Sequence, residues 1–336
     1  MAWQQINPKQ ILVEKIKTQG GWVNAHTHID RSFIVNSDNY KQTNDPLHVK
    51  WDHPDEFKAK VSVEDIVGHM AQVIDNQLEQ GVQALGSFID CDSVVKDKNL
   101  KAADIIKNRY KGQINLKFIH QPIKGLTTDK TQIKWFEEAA SFVDIIGGLP
   151  EVDSKMKIGV DRKAEHLDIL FETAKKHKKP LHVHVDQLNN PEQCDTELLI
   201  AKTREHDYAG QVAAIHCISV AAQAKAYRQQ IYKGLAELDI TVIACPSAWI
   251  DASWVGQQPD DIIGPLHNAV TPAKEMMAAG VRVALGTDDI ADIYKPFSDG
   301  DMWTELRFLL EAGHYYDMDA LADIATINGL KALWIK

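Results

Sequence analysis

Two histidines separated by one residue follow an apolar stretch near the start of the chain, in "GGWVNAHTHIDRSF" (residues 20–33). Because side chains alternate along a β-strand, His26 and His28 point to one face and Thr27 to the other. Two neutral imidazoles on one face can share a metal ion. The pair alone leaves two interpretations open: a metal site, or two hydrogen-bonded core residues of a buried strand.

Three more polar residues of the same chemistry occur further along the chain, each at the end of a short apolar run. They are His184 in "HVHVDQ", His216 in "AAIHC" and Asp288 in "GTDD". Imidazoles together with one carboxylate suit zinc or ferrous iron, hold the ion without thiolates and can leave a position for water. The ordered set favours the metal interpretation.

Eight short, β-branched runs alternate with amphipathic helical stretches, the pattern of βα units around a parallel sheet. In order the runs are "GWVNAHTH", "VQALGSFID", "INLKFIHQ", "VDIIGGLP", "PLHVHVDQ", "VAAIHCIS", "ITVIACPS" and "RVALGTDD". Eight such units predict an α/β fold, a TIM-type (β/α)8 barrel. An open doubly wound sheet is the alternative, but the first run is followed by "HTHIDRSF" and no glycine-rich phosphate turn.

The polar residues fall at or just beyond the carboxyl ends of the predicted strands, where a barrel has its catalytic face. Besides the histidines and Asp288, they include Asp90, Gln121, Asp186, Gln187 and Asp289. The segment "TNDPLHVKWDHPDEF" is predicted as a long loop over that face, suited to act as a lid. Trp249, Trp254 and Trp303 either line a pocket for a flat substrate or pack in the core, and His267 is read as a loop residue.

In these stretches the sequence resembles the amidohydrolase superfamily, and within it the cytosine deaminase-like branch, from about residue 20 to the end of the chain. "NAHTHID", "VDIIGGLPEVD", "HVHVDQ", "AAIHC", "TPAKEMMAAGVRVALGTDDIADIY" and "DGDMWTEL" carry the resemblance. It implies a distorted TIM barrel and a metal-dependent hydrolase. The implied metal ligands are His26, His28, His184 and Asp288, holding one divalent ion, Zn²⁺ or Fe²⁺.

The resemblance also implies roles in the reaction. A hydroxide held by the metal attacks a carbon bonded to nitrogen, Asp288 moves the proton, and His216 stabilises the developing oxyanion. Gln121 and Asp289 fall where that branch contacts its substrate, although the Gln121 match is looser. We therefore expect deamination, or amide or lactam hydrolysis, of a small cyclic nitrogen compound. Members with two metals use a lysine that "VDIIGGLPEV" lacks, which favours one ion, while Glu151 keeps a two-metal site open.

One residue departs from the pattern of the branch. Its members carry "HxDE" after the fifth strand, whereas this chain has "HVDQ" and places Gln187 at the position of the proton-shuttling glutamate. A side-chain amide cannot carry a proton at ordinary pH. The change counts against cytosine as the substrate, and it keeps open an alternative: a metal-binding barrel without turnover that serves as a binding or regulatory protein. A phosphotriesterase-like or lactonase activity is less favoured.

The bulk properties narrow the class of protein. The 336 residues carry a net charge of −10, which argues against a nucleic-acid partner, and no apolar run is long enough for a membrane span. Four separated cysteines fit a reducing cytoplasm. We expect a single barrel domain over residues 1–336 whose first strand begins near residue 21, lacking most of the accessory β-sandwich of the superfamily. An exposed barrel bottom would leave room for a homo-oligomer; the other expected partner is a small-molecule substrate.

Overall fold

The computed structural model describes residues 6–188, 190–248 and 270–336 of the chain. Its eight strands all lie within the stretches predicted from the sequence, so that prediction is confirmed. The strands are β1 Trp22–His28, β2 Val82–Asp90, β3 Asn115–Gln121, β4 Ile146–Gly148, β5 Leu181–Val185, β6 Val212–His216, β7 Thr241–Ala244 and β8 Val283–Leu285. The predicted residues Trp249, Trp254 and His267 lie outside the described ranges.

Helices follow the strands and carry apolar residues toward them. The described α-helices are α1 Pro8–Thr18, α2 Leu47–Lys50, α3 Asp55–Lys60, α4 Val63–Glu79, α5 Lys98–Arg109, α6 Lys130–Phe142, α7 Lys155–Ile158, α8 Lys163–His177, α9 Asp195–Glu205, α10 Lys225–Glu237, α11 Ala273–Ala278, α12 Met302–Ala312, α13 Met318–Ala325 and α14 Ile327–Ala332. Short 3-10 helices occupy Tyr40–Asn44, Pro150–Asp153 and Ser219–Ala222. A capping box between Ser62 and Asp65 fixes the start of the long helix α4.

All the strand pairings are parallel, and they close into a ring. Strands β1–β3 form one ladder and β4–β8 a second. Single bridges from Ile119 to Ile145 and from Thr27 to Asp288 join the two ladders at both edges. The fold is therefore the predicted TIM-type barrel.

Two glycines allow the close approach that closure requires. A Cβ at Gly147 would lie 1.8 Å from the His120 carbonyl oxygen, at the junction of β3 and β4. At the β8–β1 junction, a Cβ at Gly286 would lie 2.8 Å from the His26 Cβ. Distances this short exclude any side chain, so the backbone that carries His26 is held directly against the end of β8.

The interior of the barrel is filled by side chains from alternate strand positions. Val23, Phe88, Ile215 and Ile243 belong to one buried cluster there. A larger cluster, including Ile74 of α4, lies between the strands and the surrounding helices. Every residue of β1 is buried. The histidines of β1 are thus held in a closely packed wall.

The amino ends of the strands are covered by the chain itself. Leu333 is fully buried in the inner cluster, and the Ala332 carbonyl oxygen lies 2.8 Å from Nε2 of His182. The expectation of an exposed barrel bottom is therefore wrong, because the segment after α14 folds back over that end. Every strand in the described part of the chain belongs to the barrel. None of the helices described is both long and apolar enough to cross a membrane.

Residues 34–60 lie over the carboxyl ends of the strands. The sequence predicted a loop here, whereas the structure forms α2 and α3 within the segment, which we call the lid segment. Asp52 pairs through its two carboxylate oxygens with Lys124 Nζ at 2.9 Å and Lys157 Nζ at 2.6 Å. The Tyr294 hydroxyl donates to the Lys50 carbonyl at 3.0 Å. These contacts fasten the lid segment to the loops after β3, β4 and β8.

Candidate metal centre

The first group of candidate ligands brings together two histidines of β1 and an aspartate from the segment after β8. Nε2 of His26 lies 3.1 Å, and Nε2 of His28 3.4 Å, from the same oxygen, Oδ1 of Asp288. All three side chains are buried. Thr27, on the opposite face of β1, donates its hydroxyl to the Asp288 carbonyl at 2.8 Å. The alternation predicted from "HTH" therefore places both imidazoles on the Asp288 carboxylate.

His184 and His216 complete the cluster from β5 and β6. Candidate ligand atoms of His26, His184 and His216 all lie within 4.8 Å of one another. Nδ1 of His184 lies 3.0 Å from the Gly148 carbonyl. A carbonyl can only accept, so Nδ1 carries the proton and Nε2 keeps its lone pair. That hydrogen bond prepares His184 to bind a cation.

The protonation states suit a cation site. Burial lowers the pKa of His26 to about 4 and that of His216 to about 3. Burial and the neighbouring imidazoles hold the pKa of His184 well below its ordinary value. Burial opposes ionisation of Asp288, but hydrogen bonds from His26 and His28 keep its pKa well below the ordinary value. Near neutral pH, His26, His184 and His216 are thus neutral imidazoles and Asp288 is a carboxylate.

Two members of the cluster occupy strained backbone. His216 has φ 75° and Asp288 has φ 60°, in the left-handed region that L side chains rarely adopt. Such strain is kept only where the surrounding structure imposes it, and it concentrates at functional sites. Here it turns both side chains inward at the points where β6 and β8 end.

The residues fit a divalent metal. Among the described residues, neither ring nitrogen of His216 nor Oδ2 of Asp288 has a hydrogen-bond partner, although all three atoms are buried. Leaving such groups unpaired costs roughly 1–3 kcal/mol each, a penalty that a bound ion and its water would remove. Imidazole nitrogens and one carboxylate are the donor set of zinc and ferrous sites.

A small cavity lies beside the cluster. It encloses about 20 Å³, room for roughly one water molecule. Its polar lining includes the predicted substrate contacts Gln121 and Asp289, together with Gln187. Leu47 and Trp51 of the lid segment line it from above. A ring compound therefore needs the lid side chains to move before it can enter.

Sequence reasoning missed Arg31 as a lining residue of this cavity. Its guanidinium donates from Nη2 to Oδ1 of Asp289 at 2.8 Å, and its Cζ lies 5.1 Å from the ring centroid of Tyr294. Asp90 and Asp292 lie 3.5 and 3.4 Å from other nitrogens of the same group. The position of Arg31, three residues after His28, was the available signal.

Several other residues of the barrel have partners away from the cluster. Asp30 accepts hydrogen bonds from the Asp90 amide and from Asn99, and Nδ1 of neither His26 nor His28 has a hydrogen-bond partner in the described structure. Asp90 instead pairs with Lys58 at 2.7 Å. His182 lies deeper in the barrel and contacts Ala332, which agrees with a structural role. Trp303 packs against the outer core, with Lys9 over its ring.

Glu151 is held by two glutamines and is not among the clustered ligands. Nε2 of Gln187 donates to its Oε2 at 2.8 Å, and Nε2 of Gln193 donates to its Oε1 at 3.2 Å. Both carboxylate oxygens are thus engaged behind the cavity wall. This arrangement speaks against the two-metal site that Glu151 kept open.

The comparisons with known proteins agree with this geometry. The model of the Amidohydrolase family matches residues 20–336. An uncharacterized protein of Haemophilus influenzae is 41% identical over 272 residues, covering 80% of this chain and 95% of the relative. The N-isopropylammelide isopropyl amidohydrolase of a Pseudomonas species is 22% identical over 293 residues, 84% of this chain and 65% of that protein.

Solved structures show the same fold. The 5-methylcytosine deaminase of Klebsiella pneumoniae, liganded with 5-fluorocytosine, superposes with a TM-score of 0.81 at 22% identity over 93% of this chain and 74% of that one. The N-isopropylammelide isopropylaminohydrolase of Burkholderia multivorans gives a TM-score of 0.74 at 18% identity, over 93% and 74%.

The closed parallel barrel carries a buried group of candidate metal ligands at the carboxyl ends of its strands, the face where barrel enzymes have their active sites. The chain belongs to the amidohydrolase family, as the sequence motifs predicted. It is a hydrolase that acts on carbon–nitrogen bonds other than peptide bonds.

Proposed function

We propose that this protein binds one divalent zinc or ferrous ion through His26, His28, His184 and Asp288 and hydrolyses a carbon–nitrogen bond of a small cyclic nitrogen compound. The observation that carries the proposal is the convergence of two imidazole nitrogens on one Asp288 oxygen, beside a His184 ring whose Nε2 is left free by its bond to Gly148. When bound, such an ion is a Lewis acid that makes water acidic enough to act as a nucleophile near neutral pH.

Asp288 is the proton carrier. Its Oδ1 lies beside the two histidine nitrogens, where it would help to hold the ion, while its buried Oδ2 has no partner among the described residues and is left for the proton. The low pKa keeps the group ionised and ready to accept a proton from the attacking water. Oδ2 then returns that proton to the leaving nitrogen as the carbon–nitrogen bond breaks.

His216 and the Arg31–Asp289 pair act on the substrate. A neutral His216 can donate from one ring nitrogen to the oxygen that gains charge at the reacting carbon. Asp289 is fixed by Arg31, so its free oxygen can accept from a substrate N–H without a change of rotamer. Gln121, whose Oε1 is buried without a partner in the described structure, offers a second acceptor.

Gln187 supports a competing proposal, a metal-binding barrel without turnover, since its amide cannot relay protons. Amide and lactam hydrolysis needs no protonation of an aromatic ring before attack, so Asp288 alone suffices for it. The Pseudomonas and Burkholderia proteins named above are N-isopropylammelide hydrolases, whereas the Klebsiella protein is a 5-methylcytosine deaminase. Because Gln187 cannot relay a proton to an aromatic ring, we favour a cyclic compound with carbonyl groups over an aminopyrimidine as the substrate.

Product analysis tests the proposal. Protein reconstituted with one equivalent of Zn²⁺, or of Fe²⁺ without oxygen, is incubated with aminopyrimidines, aminotriazines, lactams, cyclic ureas and lactones, and the products are identified by mass spectrometry. Exchange of an amine for oxygen, or addition of water with ring opening, is the expected result. The Asp288→Ala variant is the control and should give neither product. Silence of the wild-type protein across the panel would favour the binding-protein alternative.

A further inference from the structure

A buried polar network lies behind Gln187, on the side away from the metal centre. The amide of Gln187 lines the cavity with one end and meets Glu151 with the other, 2.8 Å from Oε2. Glu151 lies in the 3-10 helix after β4, and only 5% of its surface is exposed. Among the described residues, no donor reaches Oε1 of Gln187. Whatever fixes the amide therefore decides which of its two ends the substrate meets.

A second glutamine fixes the other side of Glu151. Oε1 of Gln193 accepts from the Leu188 amide at 3.0 Å and from the Ser219 hydroxyl at 2.9 Å. Because both partners are donors, the nitrogen end of Gln193 must face the carboxylates of Glu151 and Asp195, at 3.2 and 3.1 Å. Oε1 of Glu151 is thus always an acceptor. Any proton that Glu151 carries lies on Oε2, toward Gln187.

Two hydrogen-bonded states follow from this geometry. When Glu151 is a carboxylate, Oε2 accepts from the Gln187 nitrogen, and the amide oxygen faces the cavity. When Glu151 is a carboxylic acid, Oε2 donates to the amide oxygen, and the Gln187 nitrogen faces the cavity. The same 2.8 Å separation serves both states. A half-turn of the amide is the only movement needed.

The charged groups around Glu151 bring both states within reach. Asp195 and Asp186 face it from α9 and the end of β5, and Lys163 faces it from α8. Lys163 pairs with Asp195 at 2.5 Å, so its positive charge mainly stabilises the Asp195 carboxylate and not that of Glu151. Burial, followed by the charge of Asp195, raises the pKa of Glu151 to about 8.

We propose that the charge of Glu151 decides which end of the Gln187 amide faces the substrate, and hence which ring compounds the site prefers. The ionised state presents an acceptor and selects a ring N–H, as in a lactam or cyclic urea. The neutral state presents a donor and selects a bare ring nitrogen, as in a pyrimidine. Glu151 is a positioning residue that acts through Gln187. The inference rests on the proposed function, since it concerns the specificity of the same cavity.

A binding measurement tests this without turnover. Calorimetric Kd values for 2-pyridone, which has a ring N–H, and pyrimidine, which has only bare ring nitrogens, are compared between pH 6.5 and 9.5 on metal-reconstituted protein. Neither ligand changes its protonation over that range. We expect the preference for 2-pyridone over pyrimidine to rise about tenfold with pH, the effect of one hydrogen bond gained or lost. In the near-isosteric Glu151→Gln variant the ratio should stay flat.

The ratio removes effects of pH that act on both ligands alike. A wild-type ratio that does not change with pH, or an equal rise in Glu151→Gln, would overturn the proposal. A pH-dependent ratio in a protein that turns over none of the panel compounds would sink the proposed function and leave this inference standing.

A thermal cycle tests the contact itself and needs no ligand. Gln187→Glu places two buried carboxyl groups against each other, so its Tm should fall below that of the wild type by about 4 °C more at pH 9 than at pH 6.5. Adding Glu151→Gln restores one amide and one carboxylate with their places exchanged, and should recover most of that loss. If Gln187→Glu shows no such dependence on pH, or the second substitution no recovery, Glu151 does not govern position 187.

Discussion

His182 and His184 lie two residues apart on one strand, yet their partners give them opposite roles. His184 has its candidate ligand nitrogen within 4.8 Å of those of His26 and His216, whereas His182 hydrogen-bonds the Ala332 carbonyl. Loss of a residue that only hydrogen-bonds a metal ligand lowers metal affinity by roughly 10–100-fold. We therefore expect His184→Ala, which removes a proposed ligand itself, to lower the affinity for Zn²⁺ by at least that much. Competition with a chromophoric chelator measures that affinity directly.

His182→Gln is the matched control, because it changes the same face of β5. It should lose some stability with its contact to Ala332 while keeping the affinity for Zn²⁺ within about threefold of the wild type. Equal losses of zinc affinity in the two variants would mean that the ion is bound elsewhere, and would contradict the proposed ligand set.

At the scale of single residues, the sequence predicted those whose position depends only on the end of a strand. The histidines and Asp288 belong to this group, because the carboxyl ends of barrel strands converge on one face. The partners of Asp289 and Gln187 could not be predicted in this way. Arg31 and Glu151 reach them from the segments that follow β1 and β4, and such contacts depend on rotamers and on loop paths that no spacing in the sequence encodes.

Ion pairs of Asp52 join the lid segment to residues outside it. Asp52 bridges Lys124 and Lys157, but its side chain is 57% exposed, so the pairs contribute at most about 1 kcal/mol. Asp52→Asn should therefore raise the rate of amide hydrogen exchange across 47–60 by roughly two- to fivefold, with β2 unchanged. Mass spectrometry of peptides from the exchanged protein measures both regions at once.

Glu56→Gln in the same segment provides the control for that experiment. Within the described ranges Glu56 pairs with Lys60 alone, one turn along α3, and both side chains are largely exposed. Its loss should leave exchange across 47–60 within error of the wild type. If the two variants behave alike, the pairs of Asp52 do not restrain the lid segment.

Asp153 joins two of the elements that frame the cavity. Its carboxylate accepts from the Leu126 amide at 2.8 Å and the Thr127 hydroxyl at 2.7 Å, and lies 2.7 Å from Nδ1 of His166. Burial opposes ionisation, but these hydrogen bonds hold the pKa of Asp153 below its ordinary value. The stability it contributes is therefore complete above about pH 4 and is lost as the pH falls through the lowered value.

We expect Asp153→Asn to lower the free energy of unfolding by about 1–3 kcal/mol at pH 7, because it loses charge-assisted bonds to both elements. Near pH 3 the unfolded wild-type chain takes up a proton at this aspartate more readily than the native protein does, so the difference between the two proteins should shrink. Urea denaturation at both values of pH gives the comparison. A difference that stays constant with pH would show that the charge of Asp153 is not what stabilises this junction.

Elements were predicted best where periodicity is strong. The sequence predicted all eight strands of the described structure, because each corresponds to a β-branched run that ends in polar residues. The lid segment was expected as a loop, since "TNDPLHVKWDHPDEF" contains two prolines and little helical period. In the structure each proline directly precedes a short helix, Pro46 before α2 and Pro54 before α3. Proline is favoured at helix starts. Helices as short as α2 and α3 contain too few residues to show a helical period of apolar residues.

In the whole molecule, the two ends of the barrel differ in what their residues contribute. The carboxyl ends carry the candidate metal ligands, strained backbone and unpaired buried atoms, features that cost stability. The amino ends carry Leu333 and the hydrogen bond from His182 to Ala332, which close the core. The sequence did not predict this cover, because "ATINGLKALWIK" was compared only with the length that an accessory β-sandwich requires. Substitutions at the two ends should therefore separate stability from metal binding.

Leu333→Ala provides the test of that division. The side chain is fully buried in the inner cluster, and a Cβ at Gly86 would lie 2.4 Å from its Cδ2, so neighbouring groups are in close contact with it. Truncation should lower the free energy of unfolding by about 2–5 kcal/mol, the cost of a buried leucine and the cavity left behind. Zinc affinity below the unfolding transition should stay within about threefold of the wild type, because the ligands lie at the opposite ends of the strands.

Ile327→Ala, at a position 37% exposed, is the control and should cost under about 1 kcal/mol. A parallel loss of zinc affinity in Leu333→Ala would show instead that the metal cluster depends on packing throughout the barrel.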